Sequence, residues 1–142
     1  MTAHDTARVR YRPRTVAEAM TLAPYTVGRD QPITVAQAML HDHHIRHLPV
    51  LEAGKLVGVV SEHDLAVVEG MQDLVPGTPI VDDAMSPDVY AVTPDASLAE
   101  VAAHMSERAL GSAVVEEDGR VVGVFTTVDA LRALALCLAD TD

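Results

Sequence analysis

Two short spellings in this chain pair a hydroxyl with a carboxylate three residues on, Ser61-x-x-Asp64 and Thr126-x-x-Asp129. Each follows a Gly-led apolar run suited to a strand, Gly58-Val59-Val60 and Gly123-Val124-Phe125. A carboxylate accepts two hydrogen bonds from a vicinal diol, a geometry that a ribose offers and most metabolites do not. A hydroxyl that opens a helix sits beside free backbone N–H groups and the positive end of the helix dipole, which suits a phosphate. The same spelling is also a plain helix cap, so taken alone it leaves both roles open.

Other reactive side chains point less clearly. Five of the seven histidines, His41, His43, His44, His47 and His63, fall within residues 41–63. Their spacings of three and four could suit a metal, but no Cys joins them and His41 and His44 fall at a helix end. They read instead as a solvated face, with His47 and His63 placed to approach a bound phosphate. Cys137 is the single cysteine, so it forms no internal disulfide, and its apolar helical setting reads as a buried thiol. No Ser-His-Asp or Cys-His constellation appears, and Asp64 and Asp129 belong to separate copies of the motif, so catalysis finds little support.

The elements that carry the motif are themselves duplicated. Sliding 15–65 onto 80–130 without a gap gives 14 identities over 51 positions. Unrelated stretches of this composition would give roughly three or four. Met20/Met85, Tyr25/Tyr90, Val50/Val115, Gly54/Gly119, Gly58/Gly123 and Asp64/Asp129 are among the identical pairs. The first copy predicts a short helix at 15–20 from the capping box Thr15-x-x-Glu18, a strand at 25–27, and a helix at 32–43 with Ile33, Ala36 and Leu40 on one face. A hairpin of strands 46–51 and 55–60 turns at Ala53-Gly54 and leads into a helix at 62–69. The second copy predicts a helix at 81–85, a strand at 89–92, a helix capped by Ser97-x-x-Glu100, a hairpin across Asp118-Gly119, and a helix at 127–138. Short strands interleaved with helices imply an α/β (α+β) fold with helices covering small sheets.

The chain divides into a basic N-terminal arm (1–14), repeat 1 (15–71), a Pro- and Gly-bearing linker (72–79) and repeat 2 (80–138). Residues 1–6 are polar and read as disordered, and 8–12 alternate like a strand or extended arm. Arg8, Arg10, Arg12 and Arg14 hold four of the ten basic residues. From residue 15 onward there are 6 basic and 20 acidic residues, a net of −14, which repels a nucleic-acid backbone. The arm is expected to touch phosphate or strap a dimer rather than bind DNA. No apolar run reaches a membrane span and no signal-peptide pattern opens the chain, so a cytoplasmic setting is expected.

The helix–strand–helix–strand–strand–helix order, the phrase Ile45-Arg46-His47-Leu48-Pro49-Val50 and the Gly-x-x-Ser/Thr-x-x-Asp ending resemble cystathionine-β-synthase (CBS) domains. Two in tandem resemble the CBS pair, or Bateman module, over nearly the whole chain. The resemblance implies two repeats packed sheet against sheet about a pseudo-two-fold axis, with two clefts that often bind adenosine nucleotides. Asp64 and Asp129 would then take ribose hydroxyls, Ser61 and Thr126 would meet phosphate, and Val59 and Val124 would line the base pocket. The Asp129 cleft would borrow Thr21, Thr26, Ile45 and Arg46 from the other repeat. The Asp64 cleft would borrow Ser86, Ala91, Leu110 and Gly111, with Arg46 again near the phosphates. Because copy one has Arg46, His47 and His63 where copy two has Gly111, Ser112 and Val128, two equivalent sites are not expected.

The implied function is a regulatory module, homodimeric and not an enzyme. It would need no cofactor, sense AMP, ADP, ATP or S-adenosylmethionine, and signal to a protein partner. The competing expectation is a non-catalytic scaffold whose clefts are vestigial.

Overall fold

A computed structural model describes residues 12–74 and 77–139. Arg8, Arg10, the extended segment expected at 8–12 except Arg12, and the polar residues 1–6 lie outside them. The first repeat runs α1 (Val16–Ala19), β1 (Thr21–Leu22), β2 (Val27–Gly28), α2 (Ile33–Asp42), β3 (His47–Glu52), β4 (Lys55–Ser61) and α3 (Glu62–Gly70). After a 3-10 turn at Gln72–Leu74 the second runs α4 (Val81–Ala84), β5 (Ala91–Val92), α5 (Leu98–Arg108), β6 (Ser112–Glu117), β7 (Arg120–Thr126) and α6 (Thr127–Ala139). This is the mixed α/β fold expected, with two small sheets covered by helices.

Each sheet is built on a hairpin. β3 pairs antiparallel with β4 and β6 with β7, while β2 joins β3 and β5 joins β6 in parallel. Both hairpin turns hold their two central residues at positive φ, Ala53 at 50° and Gly54 at 79°, Asp118 at 52° and Gly119 at 77°. That is the combination a two-residue turn needs to match the twist of its strands. On α2 the expected stripe Ile33, Ala36 and Leu40 is buried against Leu48, Val50 and Val60 of the sheet.

The packed units do not coincide with the repeats. Val81, at the start of repeat 2, is fully buried in the core formed by Ile33, Leu48, Val60 and Leu65 of repeat 1. Reciprocally, Val16 of repeat 1 is fully buried beside Leu98, Val101, Val115 and Phe125 of repeat 2. Backbone bonds fix both exchanges: Val81 N–H donates to Gln31 and Val16 N–H to Ala96. Arg29 adds an ion pair to Asp82 at 2.7 Å, holding α4 from outside.

The chain that follows each exchanged helix adds an edge to the foreign sheet. β1 pairs antiparallel with β7, matching Thr21 to Val124. Ser86, displaced by the same 65 positions, bridges Val59 of β4, with hydrogen bonds of 2.8 and 3.0 Å. A relation that holds in both directions is a pseudo-two-fold. It also explains why glycine stands at 58 and 123. A Cβ on Gly123 would lie 2.6 Å from the Thr21 carbonyl oxygen, and one on Gly58 2.8 Å from that of Ser86.

Several local expectations are corrected. Thr15 makes no side-chain cap; its hydroxyl donates to the Glu18 carboxylate at 3.0 Å, since Thr15 is engaged across the molecule in a bridge to Ser97. Ser97 does cap α5, accepting from Glu100 N–H. The strand expected at 25–27 shifts to Val27–Gly28 and that at 89–92 shortens to Ala91–Val92, because those residues pair with β3 and β6. β1 was not anticipated, having no β-branched run to mark it. Cys137 is half-buried rather than buried.

His47, at the start of β3, buries its Nδ1 without a hydrogen-bond partner among the described residues. Burial pushes its pKa below 6.5, and Arg46 adds to the effect, against the pull of Asp64 and Asp129. Unfolded His47 therefore binds protons at pH values where folded His47 does not, so acid favours the unfolded chain.

Two outcomes are expected. Gly123→Ala and Gly58→Ala should each cost about 1–3 kcal/mol in urea unfolding, since a backbone carbonyl oxygen as well as a methionine sulfur stands in the way of the new methyl group. Stability near that of the parent would mean the crossing segments yield freely. Lowering the pH from about 6.5 toward 5 should reduce Tm, and His47→Gln should flatten that slope. An unaltered slope would contradict a buried neutral imidazole.

Candidate ligand-binding site

The twice-written motif forms helix N-termini at two clefts. At the first, Ser61 caps α3 by accepting from Asp64 N–H at 3.0 Å, and the Asp64 carboxylate accepts from Ser61 N–H at 3.1 Å. Only Oδ2 of Asp64 is used. Its Oδ1 has no partner among the described residues, and the side chain is half-buried. Val59 and Ser61 of β4 form one wall of this cleft, of about 260 Å³, and Ser86, Asp88, Leu110, Gly111 and Ser112 come from the other repeat.

The second copy is wired differently. Thr126 N–H donates to Asp129 Oδ2 at 2.9 Å, and the Thr126 hydroxyl lies 3.2 Å from the same oxygen. Asp129 Oδ1 accepts from the Thr21 hydroxyl at 2.8 Å and from Arg132 Nη1 at 3.1 Å. Four contacts fill the acceptor capacity of one carboxylate. They account for its being only 2 % exposed, the one buried charged side chain among the described residues. Its cleft, of about 400 Å³, is walled by Val124 and Thr126 of β7, by Thr21 of β1, and by Ile45, Arg46 and His47 entering β3.

Most of the expected lining residues thus come together: Thr21, Ile45, Arg46, Val124, Thr126 and Asp129 in one cleft, Val59, Ser61, Asp64, Ser86 and Leu110 in the other. His47 and Gly111 line both. The strand exchange brings Thr21 and Ser86 into place, because each immediately follows a helix seated in the opposite core. Thr26 and Ala91 do not join them. Thr26 lines a separate depression beside Pro24 and Leu56, and Ala91 is occupied on β5 pairing with Val114. Arg46 does not line the Asp64 cleft either; it borders a neighbouring depression with Ser61, Glu62 and His63.

Sequence reading missed Arg132, although its i+3 spacing from Asp129 on α6 was a usable cue. It also missed Asp88, which has no motif. Of the remaining histidines, His43 is not simply solvated: its ring stacks on Tyr25 at 3.7 Å. No group of three or more His, Cys, Asp or Glu side chains converges as a metal site among the described residues. No helix there is long and apolar enough to cross a membrane.

Comparison with known proteins matches this architecture. The family model for the CBS domain fits twice, over residues 16–69 and 81–136. An uncharacterised protein of Methanocaldococcus jannaschii is 31 % identical over 121 residues, 83 % of this chain but 43 % of that relative, so the chain spans less than half of its length. Among solved structures, the CBS domain pair of protein MJ0100 in complex with 5′-methylthioadenosine and S-adenosyl-L-methionine superposes with a TM-score of 0.74 and 28 % identity. That match covers 87 % of this chain and 98 % of the other. CBSX2 in complex with AMP gives 0.68 and 26 %, covering 88 % and 98 %. With two matched copies, each completed by a helix and a crossing segment from the other, the chain belongs to the CBS domain family as a tandem pair.

Proposed function

We propose that this chain is a regulatory, non-catalytic module that binds adenosine ligands in the clefts between its repeats and passes the bound state to a protein partner. The observation that carries this is the Asp129 cleft. There a buried carboxylate, a helix N-terminus and two arginines, Arg46 and Arg132, line a space of about 400 Å³. Ribose hydroxyls suit the carboxylate, phosphate suits the helix start and the arginines, and Val124 with Ile45 offers apolar walls to a flat base. The adenosine ligands bound by the MJ0100 and CBSX2 pairs support the ligand class.

A scaffold with closed clefts is the alternative. It is favoured by the carboxylates already being engaged as caps, fully so at Asp129. A thermal-shift panel of AMP, ADP, ATP and S-adenosylmethionine separates the two. A ligand at 100 times its Kd adds about 2.7 kcal/mol of apparent stability. Loss of one charge-assisted hydrogen bond should weaken binding at the Asp64 cleft roughly 10- to 150-fold in Asp64→Ala, read by isothermal titration. Asp129→Ala should also lower Tm, because it releases Thr21 and Arg132. If the parent bound no adenosine compound at millimolar concentration, the scaffold reading would replace this one.

The partner surface is proposed to include a second copy. Along α6, Val128, Leu131, Leu134 and Leu138 are exposed at helical spacing, and Val67 and Met71 are exposed on and just after α3. Light scattering should give twice the 15.1 kDa chain mass, and Leu131→Glu with Leu134→Glu should return a monomer. A parent that is monomeric at micromolar concentration would rule out this pairing.

A further inference from the structure

The pseudo-two-fold permits a position-by-position comparison of the two clefts, and the charged positions are where they part. Arg46, in the Asp129 cleft, corresponds to Gly111 in the Asp64 cleft; His44 corresponds to Ala109. Arg132 corresponds to Val67, which does not reach the second cleft at all. In the opposite direction, Ala23 lines the Asp129 cleft where Asp88 lines the other. One cleft is therefore lined by two arginines and one aspartate, with His44 and His47. The other is lined by two aspartates, Asp64 and Asp88, with His47 and no Lys or Arg among the described residues. The depression bordering the Asp64 side does carry Arg46, but beside Glu62, which offsets it.

Wiring of the two carboxylates runs the same way. A ribose reaching Asp129 must displace the Thr21 hydroxyl or Arg132 from Oδ1. Arg132 has an exposed side chain, 66 % accessible, and can turn away if an anion is there to receive it. A phosphate supplies that anion; a nucleoside lacking one leaves the displaced guanidinium only water in place of the carboxylate. At Asp64 the ribose needs no displacement, because Oδ1 is unoccupied, whereas a phosphate would enter a smaller space already bearing two negative charges.

We propose that the two clefts sort ligands by charge: the Asp129 cleft takes a phosphorylated nucleoside, and the Asp64 cleft takes a nucleoside without phosphate. This rests on the adenosine-ligand reading above and assigns a chemical class to each cleft. The module then reports on two ligands together rather than on two copies of one.

AMP and adenosine, which differ only in the phosphate, are the probes. In amide NMR titrations of the full chain, AMP should move Thr126, Asp129 and Arg132 at concentrations that leave Ser61, Asp64 and Ser86 still; adenosine should do the reverse. Arg132→Gln should weaken AMP at least ten-fold and leave adenosine unchanged. Asp88→Ala, which copies the residue at the equivalent position 23, should improve AMP binding at the Asp64 cleft. If AMP and adenosine fill the same cleft first, or if Arg132→Gln weakens both equally, charge sorting is overturned while adenosine binding stands. If neither moves an amide at millimolar concentration, the adenosine reading itself falls.

Discussion

Reciprocal seating of each repeat's first helix in the opposite core is the constraint from which the rest follows. Val16 and Val81 are fully buried among residues of the other repeat, and burying a valine side chain contributes on the order of 1.5–3 kcal/mol. Once α1 and α4 are placed, the next residues have no choice of direction: Thr21 and Ser86 must run along β7 and β4. The clefts lie where those crossing segments meet the helix N-termini. Glycine at 58 and 123 is the condition for the approach, since any side chain there would strike the crossing backbone.

The same carboxylates serve the fold and the proposed site, to different degrees. Asp64 gives one oxygen to its cap and keeps the other open; Asp129 gives both and ties β1, β7 and α6 together. Duplication leaves two identical Asp residues free to diverge through their surroundings. Nearly all that divergence sits on residues outside the motif, at Arg46, Arg132 and Asp88.

Much of this was legible in the sequence, for a physical reason. The duplication aligns without a gap, so most strong local cues appear twice, and hairpins, amphipathic helices and caps at Ser61 and Ser97 all formed as read. What escaped depends on long-range partners. Thr15 spells a cap but is held across the molecule. β1 has no propensity of its own and exists because β7 offers an edge. Thr26 and Ala91 sit one residue from β2 or on β5, and parallel pairing holds those segments away from the clefts. Arg132 and Asp88 were invisible as site residues because their meaning lies in what replaces them at the symmetry-related position.

Exchange of the first helices bears on how the chain can be made. The Thr21–Asp129 bond spans 108 positions, and α1 has no groove to occupy until β6, β7 and α6 exist. The core of the first repeat stays open at the place of Val81 until α4 has followed. During vectorial synthesis neither half can close on its own residues, so the apolar face of α1 stays uncovered until α6 has left the ribosome. The tandem arrangement keeps the two halves at high effective concentration through that interval, in which two separate single repeats would have to find each other by diffusion.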